Sequence, residues 1–107
     1  MSFAEAQAQV DAWISQFEEG YFTPMTLVVR LAEELGELAR EVNHRYGEKP
    51  KRADEEQGSI AEEISDSMFV LICLSNTLDI DLDQAFGSVM EKFRTRDAAR
   101  WTRRTGM

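Results

Sequence analysis

Apolar residues recur at spacings of three and four along most of the chain. Phe3, Ala6, Val10, Trp13, Ile14 and Phe17 form one stripe, which predicts a helix over roughly residues 3–19 with Trp13 in the core. Gly20 stands where such a helix stops. Thr23 and Pro24, a hydroxyl cap followed by proline at the first helical position, open a second helix with the stripe Leu27, Leu31, Leu35, Leu38 and Val42. Residues 47–54 carry Gly, Pro and a run of charges and predict a wet loop. A third helix starts between Asp54 and Ser59 and runs to about Leu78. Asp81 and Gln84 stand at capping-box spacing, so a fourth begins near Leu82, with Phe86, Val89, Met90 and Phe93 as its core face. No segment of useful length alternates as a strand does, and no repeat is visible. The expected class is all-α, a helical bundle of about four helices in a single domain over residues 1–107.

The third helix departs from the single-stripe pattern. Ile64, Met68, Phe69, Val70, Leu71, Ile72, Cys73, Leu74 and Leu78 cover every side of it. A helix that is apolar all round must be buried all round. Either it is central and wrapped by the other three, or it faces another subunit. The second reading predicts a homodimer or homotetramer, with Phe69 and Ile72 against the partner chain.

Composition narrows the class further. The chain has 107 residues, 43% of them hydrophobic and 30% charged, ordinary values for a globular protein. No apolar run approaches the ~18 residues needed to cross a bilayer, and the N-terminus lacks the basic and apolar regions of a leader. A lone cysteine, Cys73, cannot form an internal disulfide; it predicts a reducing, cytoplasmic setting and a buried, inert thiol. The net charge is −8, but residues 92–107 carry six basic side chains against Asp97, a local +5 that leaves −13 on the rest. An acidic body argues against nucleic acid as a partner. It raises the question of bound cations.

The spacing of the acids sharpens that question. With Leu31 at zero on its helical wheel and about 100° per residue, Glu34 falls at about 300° and Glu37 at about 240°. With Ile60 at zero on the third helix, Glu63 and Asp66 fall at about the same 300° and 240°. Glu33 and Glu62 lie further from the core on both. Two antiparallel helices could therefore bring four carboxylates together, where mutual repulsion raises their pKa values unless a cation compensates. Oxygen donors without Cys or His select hard ions, Mg²⁺ or Mn²⁺ before zinc. The bland alternative is a set of surface acids paired with Arg30, Arg40 or Arg45.

Glu33-Glu34-Leu35-Gly36-Glu37, followed after 25 residues by Glu63-Ile64-Ser65-Asp66, resembles the EExxE…ExxD signature of the MazG-like nucleotide pyrophosphohydrolases. The likeness extends through residues 74–82 to the basic tail. It implies an all-α nucleoside triphosphate pyrophosphohydrolase, Mg²⁺ dependence and a homo-oligomer of dimeric units. It also implies Glu34, Glu37, Glu63 and Asp66 as metal ligands. In such an enzyme Glu33 or Glu62 would orient or deprotonate the attacking water. Lys92, Arg96, Arg100 and Asn76 are the candidate substrate contacts. Products would be a nucleoside monophosphate and pyrophosphate; phosphoribosyl-ATP hydrolases resemble the same acidic pattern.

Other features carry less. Asp79-Ile80-Asp81-Leu82-Asp83 mimics an EF-hand start but lacks its Gly and Glu, so Asp81 is expected to be an N-cap. Glu41-Val42-Asn43-His44 matches a di-iron bundle motif, which leaves a carboxylate-bridged redox protein as one rival. A noncatalytic helical interaction module is the other. Tyr21 and Phe22, in the turn after Gly20, are freer to meet a ligand than Trp13.

Overall fold

A computed structural model describes residues 1–47 and 59–105. Four α-helices account for most of them: α1 Phe3–Ile14, α2 Pro24–Tyr46, α3 Ile60–Thr77 and α4 Leu82–Lys92. A π-helical turn, Phe93–Asp97, and a 3-10 turn, Ala98–Arg100, carry the chain onward from α4. There is no strand among the described residues. Residues 48–54 of the expected loop, and all but Ser59 of the window in which α3 was expected to start, lie outside the described residues. No described helix is long and apolar enough to cross a membrane.

The helix starts follow the local chemistry read from the sequence. Thr23 Oγ1 accepts from Thr26 N with Pro24 in the first turn, Ser59 Oγ from Glu62 N, and Asp81 Oδ1 from Gln84 N. Ser2 and Glu5 form a capping box at α1. The stops are less regular. α1 ends at Ile14, five residues before the expected Glu19, because its last turn tightens. Gln16 N and Phe17 N reach back only three residues, to Trp13 O and Ile14 O, and the Gln16 side chain also donates to Trp13 O. Beyond α3, Asp79 adopts a left-handed φ of 59°, and Ile80 N donates to Ser75 O, closing the helix as a Schellman turn does.

Leu27, Val70, Ile72 and Cys73 form the core together with Val10, and Leu31 and Leu74 pack against it. α3 is the central element and packs on both α2 and α1. α4 packs on α1, where Phe3 and Phe86 meet at 5.4 Å and the Asp83 carboxylate accepts from Phe3 N and Ala4 N. Three expectations change here. Ile72 is buried within the chain rather than turned outward. Trp13 is exposed and meets Phe17 edge-on at 5.0 Å. Phe86, Val89 and Phe93, expected as core, remain substantially exposed, because among the four α-helices α4 packs mainly on α1.

α3 also buries two hydroxyls, Ser67 and Ser75. Each donates to the carbonyl four residues earlier, Ser67 to Glu63 O and Ser75 to Leu71 O, as Ser65 and Thr77 do on the same helix.

One face of the α2/α3 pair is left uncovered. Val28, Leu35 and Val42 on α2, and Ile64, Leu71 and Leu78 along α3 and its cap, stand seven residues apart and are each 39–50% exposed. The whole chain exposes 8600 Å². A compact monomer of its mass would expose about 6,100 Å². Its radius of gyration is 17.9 Å, against about 13 Å for a compact domain of this length.

Candidate metal centre and adjoining cavity

α2 and α3 run antiparallel. Glu34 lies beside Glu63 and Asp66, while Leu27, two turns earlier, lines the same cavity as Val70 and Cys73 further along α3. The acids hold the same angular position on each wheel, so an antiparallel pairing places both sets on one face of the hairpin. The same geometry puts the heptad-spaced apolar residues on the opposite face.

Glu34, Glu63 and Asp66 each bring one carboxylate oxygen to within 4.8 Å of the others. Glu63 is the inner member. Its Oε2 is buried and has no hydrogen-bond partner. Its carboxyl is held above the usual carboxylate range, chiefly by desolvation, then by the charges of Asp66, Glu34, Glu37 and Glu62. A desolvated acceptor with no donor, crowded by like charges, is what a hard divalent cation satisfies, and the all-oxygen donor set fits one. Glu37 contributes its charge to this group without joining the three that converge. Glu62 is exposed beside it, and Glu33 is exposed one residue before Glu34. Glu41 and His44, the di-iron candidates, are not part of it.

A cavity of about 450 Å³ opens directly beside the carboxylates. Glu34 and Asp66 form its polar edge; Phe17, Tyr21, Phe22 and Phe69 supply aromatic wall, and Cys73 lies at its buried side. Burial pushes the Cys73 thiol up, against the opposing charge of Arg30. Phe69, expected against a second chain, lines this cavity instead. Arg30 completes the wall with its guanidinium 5.2 Å from the Phe22 ring centroid. From the sequence Arg30 figured only in the bland alternative, as a partner for surface acids, and not as part of a site. The available signal was its position on α2 one turn before Glu34.

The aromatic corner is held by a polar clasp. Gly20 takes a φ of 62°, which turns the chain so that Tyr21 and Phe22 reach the cavity. Tyr21 Oη donates to Asp11 Oδ1 at 2.8 Å and accepts from Asn76 Nδ2 at 2.9 Å. Asn76 Nδ2 also donates to Gln7 O, and Asn76 Oδ1 accepts from Gln7 Nε2. The Asn76 amide, a candidate substrate contact, thus has both donors and its oxygen engaged within the chain. Replacing Asn76 with Ala is expected to raise KM for a nucleotide about tenfold with little change in kcat, since the cavity wall loosens while the carboxylates stay in place. Steady-state kinetics check this; an unchanged KM would mean that Tyr21 is held without the clasp.

Arg96 binds the buried Asp97 at 3.1 Å, and Arg100 reaches the same carboxylate at 3.9 Å. Lys92 makes no ion pair among the described residues. The contacts seen for these cations are not with the three converging carboxylates.

The chain is similar to known proteins along most of its length. The model of the MazG nucleotide pyrophosphohydrolase domain matches residues 22–101. The YpjD protein of Bacillus subtilis is 62% identical over 100 residues, which cover 94% of this chain and 90% of that protein. The crystal structure of YpjD superposes with a TM-score of 0.80 at 59% identity, covering 89% of this chain and 97% of that one. The crystal structure of a Bacillus-conserved MazG protein, described as a nucleotide pyrophosphohydrolase, superposes with a TM-score of 0.76 at 50% identity, covering 90% and 93%.

Proposed function

Given that the chain belongs to the family of MazG nucleotide pyrophosphohydrolase domains, hydrolases of nucleotide pyrophosphate bonds, we infer that it converts a nucleoside triphosphate and water to a nucleoside monophosphate and pyrophosphate. The observation that carries the reading is the buried, partnerless Glu63 oxygen within a three-carboxylate group that borders an aromatic cavity. Enzymes of this family depend on a divalent metal. Here the ion would be Mg²⁺, with Mn²⁺ as a substitute, held by Glu34, Glu63 and Asp66 with Glu37 as the fourth acid. Bound there, it supplies the positive charge that polarises the α-phosphoryl group and offsets charge on departing pyrophosphate.

The chain's own side chains do the rest. The cavity excludes water from the base and holds the nucleotide by its apolar end. Glu62 and Glu33 remain exposed and able to accept a proton from the attacking water, Glu62 with the closer link to the converging group. Lys92 is the tail cation available to phosphate; Arg96 and Arg100 would have to share Asp97.

The enzyme would act as an assembly of copies in the cytosol. The seven-residue spacing on α2 and α3 suits a second α2/α3 hairpin, giving a four-helix bundle across a two-fold axis.

A panel of natural and damaged triphosphates, assayed for pyrophosphate with and without Mg²⁺, tests the activity. Metal-dependent release of pyrophosphate together with the monophosphate is expected. Release of orthophosphate, or no release from any member, would overturn the reading in favour of a noncatalytic helical module.

A further inference from the structure

Gln7, on α1, does not line the cavity, yet a series of hydrogen bonds joins it to the aromatic wall, and the direction of each bond is fixed. Its amide meets two backbone groups where α3 gives way to α4. Leu82 N can only donate, and it donates to Gln7 Oε1 at 3.2 Å. Ile80 O can only accept, and Gln7 Nε2 donates to it at 2.8 Å. These two contacts orient the amide and leave the second Nε2 proton for Asn76 Oδ1 at 2.9 Å. The main-chain carbonyl of Gln7, again only an acceptor, takes one proton of Asn76 Nδ2 at 3.0 Å. The other goes to Tyr21 Oη at 2.9 Å, and Tyr21 Oη passes its own proton to the Asp11 carboxylate at 2.8 Å. Tyr21 stands in the connection between α1 and α2, so its ring is placed by packing on the core and by these two bonds to its hydroxyl.

We propose that Gln7 is a positioning residue for nucleotide binding: it orients Asn76, and through Asn76 it holds the Tyr21 ring in the cavity wall. The inference rests on the nucleotide reading above and goes beyond it by giving α1 a part in substrate affinity. Glu34, Glu63 and Asp66 take no part in the series, so Gln7 acts on KM and leaves kcat in place.

The test is a double-mutant cycle in the full-length protein with Gln7→Met and Tyr21→Phe. Gln7→Met keeps the stem and removes the amide, whereas Tyr21→Phe keeps the ring and removes the hydroxyl. Steady-state kinetics with Mg²⁺ on the common ribo- and deoxyribonucleoside triphosphates are run beside calorimetric binding of their α,β-imido analogues. Each single variant is expected to raise KM about tenfold, to weaken analogue binding alike and to keep kcat within about twofold, the scale of polar groups left without partners in a partly buried site. The double variant should do no worse than either single one, because both changes interrupt one series. An unchanged KM in either single variant, or a kcat that falls as far as KM rises, would overturn the proposal. So would a loss near a hundredfold in the double variant, since additive losses mean that Gln7 merely steadies α1. If Gln7→Met does not fold, Gln7→Glu carries the same expectations: its carboxylate still accepts from Leu82 N but has no proton for Asn76 Oδ1 or Ile80 O. Coupled losses in analogue binding without release of pyrophosphate would sustain the proposal and defeat the pyrophosphohydrolase reading. Absence of both binding and turnover in the wild type would defeat both.

Discussion

Replacing Glu63 with Gln, or Asp66 with Asn, is expected to reduce kcat by ~100-fold or more, because a ligand charge disappears while side-chain volume is retained. Helix content by circular dichroism should be unchanged, since each side chain projects to the carboxylate group and neither fills the core. The Glu63→Gln variant carries a second signature. Glu63 has its folded-state pKa raised, so below the ordinary carboxylate range its carboxyl is protonated in both states and costs the fold nothing. As pH rises, the unfolded chain ionises first, and stability is lost up to and through the raised folded value. The metal-free wild type should therefore melt at a lower temperature at neutral pH than at mildly acidic pH. Glu63→Gln should flatten that part of the profile. Added Mg²⁺ should reverse the trend in the wild type, because only the ionised carboxylates bind it. Thermal melts across pH, with and without metal, measure all three. Wild-type turnover in both variants would remove these residues from the metal centre.

The second large effect concerns assembly. Leu35 and Leu71 sit in the middle of the two heptad-spaced lines, both nearly half-exposed in the single chain. Changing both to Lys would place two charges in a seam that a second hairpin covers, at a cost of several kcal/mol when unpaired. The wild type is expected to sediment as a dimer or larger species at micromolar concentration, and the double variant as a monomer or an unfolded chain. A wild type sedimenting at 12.2 kDa would rule the assembly out. The pair replaces Phe69 and Ile72, which the helical wheel alone put on the outer face. Ile72 is instead buried and Phe69 lines the cavity.

That revision shows where the sequence was legible. The caps at Thr23 and Asp81, the four helices and the matched angular placement of Glu34, Glu63 and Asp66 all follow from spacing within one helix. Such spacing survives any tertiary arrangement. What failed depends on which neighbour covers which side. A helix apolar on every side, such as α3, offers no stripe from which to choose. The stripe of α4 was legible as apolar, but its lack of cover within one chain was not. Asn76 looked like a substrate contact in isolation; its donors and oxygen meet Gln7 and Tyr21, 69 and 55 positions away, pairings that no local pattern encodes. Arg30 was passed over for the same reason, since the cavity it borders is built from three segments of the chain.

The self-bonded hydroxyls of α3 have a consequence for how copies would recognise one another. Ser65, Ser67, Ser75 and Thr77 each return their proton to their own helix. These four hydroxyls thus ask nothing of whatever surrounds them, the same economy of hydrogen bonding that suits helices to a hydrocarbon solvent. A surface approaching α3 need not supply matching donors and acceptors, and none of these hydroxyls is left to choose among partners. Fidelity of pairing would then fall to shape: the spacing of Ile64, Leu71 and Leu78, and the bulk of what is set against them.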